Sequence, residues 1–179
     1  MIDLHQLEED LRFDLLRNAI YHTARGQFLD LCTRSLNFVV IALGTSAAAE
    51  IGKGHIEPKW LAAAATFAAT IQLVGDLGVS ARVHFYLQRR CYELLSELEG
   101  PAPKDQTKIA EVRAKLTVLY GEEPPPMRAL DAVAYNAACD SVGKGERRVK
   151  ISWFQSAMRQ FYPFNGTKFI PKVGNAAAA

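Results

Sequence analysis

One carboxylate lies inside a long apolar run of the sequence. The run Trp60–Ala81 has 22 residues, mostly Ala, Leu, Val, Ile, Phe and Gly, and Asp76 is its one charged residue. On a helix, Gln72, Asp76 and Ser80 recur at every fourth position and therefore share one face. If several copies of the chain met around this face, the carboxylate would hydrate a shared path and favour cations.

The same helix is predicted to have one small and polar face and one bulky apolar face. Small side chains allow helices to pack closely in a membrane, where polar groups also seek partners. We therefore predict a pore-lining or helix-interface surface made of Ala65, Ala69, Gln72, Asp76 and Ser80. Two simpler roles for Asp76 stay open: a protonated carboxyl bonded to a neighbouring helix, or a carboxylate hydrated near the lipid headgroups.

No other residues have the spacing of a catalytic or cofactor site. The sequence contains no GxxxxGK[ST] phosphate loop, and GKG at residues 143–145 lacks that spacing. The four histidines have neither metal-ligand nor triad spacing. Cys32, Cys91 and Cys139 are scattered and odd in number, which argues against a disulfide framework or a zinc site. We therefore expect no enzyme activity, no metal and no cofactor.

Two apolar segments must position this aspartate. Trp60–Ala81 is long enough to span a bilayer, since about 20 helical residues cross its hydrocarbon core. Ser35–Ala49 reaches that length only with flanking residues, so we place the two transmembrane helices at about 31–51 and 60–81. The polar loop Glu50–Lys59 joins them and suits a hairpin. On the antiparallel partner in such a hairpin, roughly Val40 would lie level with Asp76. A soluble helical bundle with a buried, alanine-rich hairpin is the alternative.

Basic residues are unevenly distributed around the two segments. Six arginines precede the first segment or follow the second, and two lysines lie in the loop: Arg17, Arg25, Arg34, Arg82, Arg89, Arg90, Lys53 and Lys59. Because cytoplasmic flanks are enriched in Lys and Arg, both termini are predicted to be cytoplasmic. Trp60 is a predicted interfacial anchor, since aromatic residues are enriched at membrane surfaces.

The chain closes with a basic and aromatic segment, residues 146–175. The stretch ISWFQSAMRQFYPF predicts a helix with an aromatic face next to cations, which suits the surface of an anionic membrane leaflet. Its predicted anchors are Arg147, Arg148, Trp153, Phe154 and Phe161. Alternatively, the aromatic side chains cover the cytoplasmic helices. Ala176–Ala179 has the composition of an appended cloning tail and is set aside.

The remaining sequence predicts amphipathic helices and no strands. A leucine row from Leu4 to Leu15 starts a helix that continues past residue 25, and one long helix is expected to leave the second apolar run and reach Leu98. Further helices are expected at Ile109–Leu119 and about Met127–Val142. The chain is therefore predicted to be all-α, a two-helix transmembrane hairpin with N- and C-terminal cytoplasmic helices. The rows at 4–15 and 109–119 would need partners, which favours a homo-oligomer.

Length and charge limit the classes of protein that fit. A chain of 179 residues is one domain, or one domain with an appendage. Its net charge of +2 is too small to indicate a nucleic-acid surface, so no nucleic-acid partner is expected.

The order of these parts resembles the SLATT domains, two-transmembrane effector modules of prokaryotic conflict systems. The similarity covers about residues 10–145. It lies in YHTARGQF at Tyr21–Phe28, the two adjacent apolar helices, a long helix from near Arg82 with His84 and Tyr86, and the segment Glu122–Gly143. We therefore assign residues 1–145 to a SLATT-like domain.

This resemblance implies a membrane effector that oligomerises and permeabilises the bacterial inner membrane in an anti-phage defence or toxin system. Its partners would be the lipid bilayer, further copies of the chain and a separate sensor protein, since no sensing domain is fused here. The alternative is a membrane-anchored adaptor or superinfection-exclusion factor that acts through its cytoplasmic helices without forming a pore.

Overall fold

A computed structural model of the chain describes residues 4–50, 58–101 and 105–171, and most of these residues are helical. The α-helices are α1 (Leu4–Glu50), α2 (Pro58–Gly75), α3 (Leu77–Glu99), α4 (Gln106–Glu122), α5 (Arg128–Ser141) and α6 (Trp153–Met158). A 3-10 turn spans Gly145–Arg147, and one isolated antiparallel bridge pairs Val149 with Pro171. Within the described ranges no strand forms, which confirms the all-α prediction.

The chain divides into two compact units, which we describe separately. Unit 1 contains Met1–Arg25 and His84–Ala179, and unit 2 contains Gly26–Val83. Helices α1 and α3 each supply residues to both. Parts of the predicted loop (51–57), residues 1–3 and the end of the chain (172–179), including Ala176–Ala179, lie outside the described residues.

Unit 1 has an apolar core to which four helices contribute rows at helical spacing. Its buried side chains include Leu11, Leu15 and Ala19 of α1, Leu87, Cys91, Leu94 and Leu98 of α3, Ile109, Val112, Leu116 and Leu119 of α4, and Leu130, Ala134 and Cys139 of α5. Burying rows of this kind is the main favourable term in folding. The chain itself buries Leu11, Leu15 and the row at 109–119, so these residues give no reason to expect a second copy, whereas Leu4 is exposed. The homo-oligomer stays a prediction.

The sequence signals at the ends of α4 and α5 act as expected. Asp105 caps α4, since its side chain accepts a hydrogen bond from the backbone N of Lys108 at 2.8 Å. The EEPPP stretch separates α4 from α5, which starts at Arg128 and ends at Ser141, within one residue of the predicted bounds. Proline removes a backbone donor and restricts the residue before it, which stops α4 here.

The closing helix is shorter than predicted. Ser152 and Gln155 form a capping box that starts α6 at Trp153, but the helix ends at Met158. The backbone N atoms of Phe161 and Tyr162 both bond to the carbonyl of Met158, so the chain turns instead of continuing the helix. The sequence analysis expected Phe161 to share a helix face with Trp153 and Phe154. It does not, because the helix ends before Phe161.

Candidate functional site

The surface of unit 2 is strongly apolar. Two helical stretches, Leu4–Ser46 and Lys59–Glu99, are long and apolar enough to cross a membrane by length and composition. Within the most apolar 18-residue window of each stretch, 6% of the residues are buried. The predicted alternative of a buried hairpin core would require most of these residues to be covered, and within this chain they are not.

Large apolar side chains make up this exposed surface. Between residues 31 and 79 they are Leu31, Phe38, Val39, Ile41, Trp60, Phe67, Ile71, Leu73, Val74 and Val79. Leu73 and Val74 are about four-fifths exposed. Contiguous apolar surface of this extent marks an interaction site, either with a membrane or with protein.

A second face of unit 2 joins α1 to α2. Gln72 Nε2 donates a hydrogen bond to Asn37 Oδ1 at 2.9 Å. A methyl group added at Gly78 would lie 3.8 Å from Cγ2 of Thr33, so α3 begins close to α1 as well. Residue numbers fall along α1 as they rise along the second segment, so the paired stretches run antiparallel. Ala68 is buried and Ala65 is half-buried on the same side as Gln72.

These contacts change the register expected for Asp76. The sequence analysis placed Val40 opposite Asp76, but the pairs Gln72–Asn37 and Gly78–Thr33 place it level with residues 33–37 of α1. Arg34 lies in that interval, and it pairs with Asp30 at 2.8 Å. Among the described residues, no ion pair to Asp76 is found. Its carboxylate is exposed on the apolar surface of unit 2.

The predicted long helix is interrupted at Asp76. Helix α2 ends at Gly75, α3 begins at Leu77, and Asp76 between them has a φ angle of 40°. This left-handed conformation is disfavoured for most L-residues and is more accessible to Asp and Asn. The carbonyl of Asp76 accepts a hydrogen bond from the backbone N of Ser80 at 3.0 Å, so helical bonding resumes at once. The prediction of one continuous helix is therefore wrong at this residue.

The five predicted pore-lining or interface residues differ in exposure. Ala65 and Gln72 are half-buried, and Gln72 contacts α1, whereas Ala69 and Asp76 are exposed. Ser80 is half-buried and follows the break. Gln72 therefore takes part in a contact between α1 and α2, whereas Asp76 is exposed on the surface of unit 2.

The predicted anchor Trp60 lies at the first turn of α2 and is exposed. The ammonium group of Lys59 lies 5.8 Å from the centre of its indole ring, within the range of a cation–π contact. An exposed tryptophan with an adjacent cation is typical of the polar boundary of a membrane.

Polar contacts hold the closing segment against the rest of unit 1. They lie near Arg25, where the part of α1 that belongs to unit 1 ends. Arg25 Nη1 donates to the carbonyl of Gln160, and Gln160 Nε2 donates to the carbonyl of Ala24 at 3.3 Å. The backbone N of Arg128 also donates to the carbonyl of Pro163 at 3.0 Å. These bonds place the turn after α6 beside Ala24, seven residues before the predicted transmembrane segment at 31–51.

Aromatic residues of this segment divide between core and surface. Phe164 is buried and makes edge-on contacts with Phe154 and Tyr162, at centroid distances of 6.1 and 4.9 Å. Trp153 is 82% exposed, and Phe161 is 66% exposed. Phe164 therefore covers the helices of unit 1, whereas Trp153 and Phe161 present apolar surface outward.

The predicted basic anchors already have carboxylate neighbours. Arg148 Nη1 lies 3.6 Å from Asp140 Oδ1, and Arg147 Nε lies 4.0 Å from Glu146 Oε1. All four side chains are exposed by about two-fifths or more. Because exposed ion pairs are weak, both arginines can still meet an anionic surface, although the acidic neighbours reduce the local positive charge.

Unit 1 also contains a buried cluster that the sequence analysis missed. His22 of α1 and His84 of α3 are 0% and 4% exposed, and their Nδ1 atoms lie 2.9 Å apart. The other nitrogen of His22, Nε2, lies 3.2 Å from Oε1 of Glu123, which follows α4. Burial, followed by the proximity of His22 and Arg25, lowers the pKa of His84 from 6.5 to about 4.

A weak signal for this cluster exists in the sequence. His22 continues the buried row of Leu11, Leu15 and Ala19 at helical spacing, and His84 begins the row that continues with Leu87. A histidine in a core row needs a polar partner. The identity of that partner depends on contacts across 62 and 101 residues, which spacing alone cannot predict.

Among the residues that the structure describes, no group of three or more His, Cys, Asp or Glu side chains is placed to hold a metal ion. Comparison of the chain with protein families, curated proteins and solved structures finds no match. The resemblance to SLATT domains therefore stays a prediction.

Proposed function

We propose that the chain is a membrane effector of the bacterial inner membrane, in which a hairpin of two apolar helices oligomerises and permeabilises the bilayer. The observation that carries this proposal is the exposed apolar surface of unit 2, where 6% of each apolar window is buried. Large apolar side chains left uncovered along two adjacent helices fit lipid better than water. Every backbone group of a helix is also satisfied within lipid.

The proposed orientation has both termini and unit 1 in the cytoplasm. Six arginines flank the hairpin on the side of the termini, against two lysines in or next to the loop. The position of the closing segment supports this arrangement, because Gln160 bonds to α1 at Ala24, near the start of the apolar segment. Trp153 and Phe161 would then lie at the cytoplasmic headgroups, as Trp60 would at the outer ones.

The proposed oligomerisation is based on the position of Asp76, and not on the apolar rows of unit 1. A carboxylate on a lipid-facing surface is unfavourable, and acidic residues within membrane segments usually face protein or water. The small residue Gly75 directly precedes Asp76, and Ala69 lies seven residues before it; small residues allow a second helix to approach. Copies that meet at this surface would supply a hydrated environment for the carboxylate. A single hairpin encloses no channel.

The trigger is proposed to come from a separate sensor protein, in line with the resemblance to SLATT effectors. Such a system would permeabilise the membrane of an infected cell as a defence or toxin response. Unit 1 is the part of the chain available to a cytoplasmic partner.

Leakage on expression tests this proposal. We expect induced cells to release K⁺ and to take up a small impermeant dye, after membrane fractionation shows that the protein resists carbonate extraction. Asp76→Asn should still leak but with a weaker preference for cations, because Asn tolerates the same backbone conformation without the charge. Asp10→Asn, which removes an exposed carboxylate of unit 1, is the matched control and should behave as the parent chain does.

The alternative is a membrane-anchored adaptor or exclusion factor without a pore. One observation favours it: Gln72 donates to Asn37 of α1 while Asp76 is exposed, so the polar residues of the second segment do not all have the same surroundings. Carbonate-resistant protein that causes no leakage at any expression level would contradict the pore and support the adaptor. An unchanged cation preference in Asp76→Asn would show that Asp76 does not line the proposed ion path.

A further inference from the structure

We propose that the buried chain of His84, His22 and Glu123 is an acid-sensitive latch, which joins α1, α3 and the end of α4 and opens when the histidine pair takes up a second proton. The three residues come from three different elements and are linked by two contacts of 2.9 and 3.2 Å. The latch belongs to unit 1 and does not depend on the proposed membrane function.

The geometry limits the number of protons that the latch can hold. Glu123 accepts from Nε2 of His22, which requires a hydrogen on that nitrogen. The two Nδ1 atoms face each other at 2.9 Å, so one must donate and the other must accept. One proton between them satisfies both rings. A second would place two N–H groups against each other and add a positive charge to the core.

The surroundings give a second proton little stabilisation. Glu123 offers one carboxylate, and it is already bonded to His22. Facing groups on the other elements are Tyr21 and Arg25 of α1, Cys91 of α3 and the backbone N of Met127, which bonds to the Tyr21 hydroxyl at 3.0 Å. Burial raises the pKa of the Cys91 thiol to about 12, so it stays neutral, and the guanidinium of Arg25 opposes further positive charge.

The direction of the pH effect follows from proton linkage. The pKa of His84 is about 4 in the folded chain and 6.5 for an unperturbed histidine, so the open state binds more protons between these values. Closure is therefore fully favoured above about pH 6.5 and weakens as the pH falls towards 4. With these two pKa values, the opening equilibrium at pH 5 is about thirtyfold larger than at pH 7.5.

Hydrogen exchange of the full chain in mild detergent tests the latch. Between pH 7.5 and pH 5, after correction for intrinsic exchange rates, protection of the α1 and α3 amides around His22 and His84 should fall about thirtyfold. Protection around Ala138 in α5 should change less than threefold, because opening is local. A fall of less than threefold at the histidines, or an equal fall throughout unit 1, would overturn the proposal.

Two variants test whether the loss of protection at low pH comes from titration of His84. His84→Gln keeps a donor and an acceptor beside His22 but cannot titrate, so the local loss of protection at pH 5 should disappear. His5→Gln, which removes an exposed histidine outside the cluster, should leave the loss unchanged. Retention of the full loss in His84→Gln would contradict the proposal.

A measurement on the unaltered chain covers the case in which His84→Gln fails to fold. Nitrogen-15 spectra of labelled histidines report the tautomer and the protonation of each ring. We expect one shared proton between the buried rings at pH 7 and a midpoint for His84 more than one pH unit below that of His5. A midpoint equal to that of His5 would show that no latch exists.

Discussion

Asp76 has two properties that act at the same position. Its charge lies within an otherwise uncharged run, and its backbone has a φ angle of 40° between α2 and α3. The second property limits which substitutions can test the first. The left-handed conformation costs roughly 1–2 kcal/mol for an ordinary L-residue, whereas Gly, Asn and Asp adopt it more readily. A leucine at this position would therefore combine loss of charge with backbone strain.

Substitutions at residue 76 should differ in the free energy of unfolding according to their backbone preference. We expect Asp76→Ala to lower the free energy of unfolding in detergent by about 1 kcal/mol, because alanine disfavours the left-handed region. Asp76→Gly removes the same carboxylate and should be at least as stable as the parent chain, since glycine adopts this φ without strain. Denaturant unfolding of both variants measures the difference. If the alanine variant is the more stable of the two, the helix is continuous through residue 76.

The residues that the sequence could not predict are those whose role depends on backbone angle or on distant contacts. Asp76 fits the helical period of its neighbours, and nothing in its spacing indicates a positive φ. His22 and His84 are 62 positions apart and meet only because α1 and α3 pack side by side. In contrast, the sequence shows the charge of Asp76 within an apolar run directly, and the exposure of Trp60 agrees with its predicted place at the end of that run.

At the scale of the elements, one hydrogen bond fixes the register of the apolar helices. Gln72 Nε2 donates to Asn37 Oδ1, which joins the side-chain amides of α2 and α1. In lipid, an unpaired amide would have no water to bond. The sequence analysis anticipated both helices and their adjacency but placed Val40 opposite Asp76, because loop length alone does not determine which turn of one helix faces which turn of the other.

A double-mutant cycle on this pair tests the register. Gln72→Leu and Asn37→Leu should each destabilise the chain, since each leaves one amide unpaired. The double variant should recover part of the loss, with a coupling energy of about 0.6 kcal/mol, the average for interhelical hydrogen bonds in membranes. Thr70→Leu, at an exposed position of α2, is the control and should not couple with Asn37→Leu. Strictly additive losses for the Gln72–Asn37 pair would show that the two side chains do not meet.

The closing segment shows how capping residues limit a helix that composition would extend. Ser152 and Gln155 start α6 as a capping box, but the aromatic pattern that predicted a longer helix continues through a turn after Met158. Spacing alone could not show which aromatic residues of this segment are exposed and which are buried. Their separation depends on Phe164, which is buried with a φ angle of 51°.

The chain's two tryptophans make the proposed anchors directly observable. In liposomes, Trp153 fluorescence in a Trp60→Phe variant should be quenched by lipids brominated near the headgroup, because the indole would lie at the interface. Trp60 fluorescence in a Trp153→Phe variant should respond in the same way. Quenching of Trp153 by aqueous iodide alone, with no effect of brominated lipid, would assign the closing segment to water instead.

At the scale of the whole molecule, the two units differ in the kind of side chains that they expose. Unit 1 buries its leucine rows and carries its charged residues outside, and unit 2 exposes large apolar side chains with few charges among them. This division was predictable, because the segregation of charge along the sequence is strong. The self-sufficient core of unit 1 was not, since the rows at 4–15 and 109–119 have the same spacing whether their partner is the same chain or another copy.

The most direct test of the central claim, that both apolar helices span the membrane, is labelling of single cysteines in intact cells with a membrane-impermeant thiol reagent. Cys32, Cys91 and Cys139 would first be replaced by alanine. A cysteine at Gly54, in the predicted outer loop, should label from outside, and cysteines at Asp10 and Lys168 should label only after lysis. Lys168 is preferable to Gly166, whose φ angle of 83° would strain a cysteine. Absence of labelling at Gly54 before lysis, or outside labelling at Asp10 or Lys168, would contradict the account.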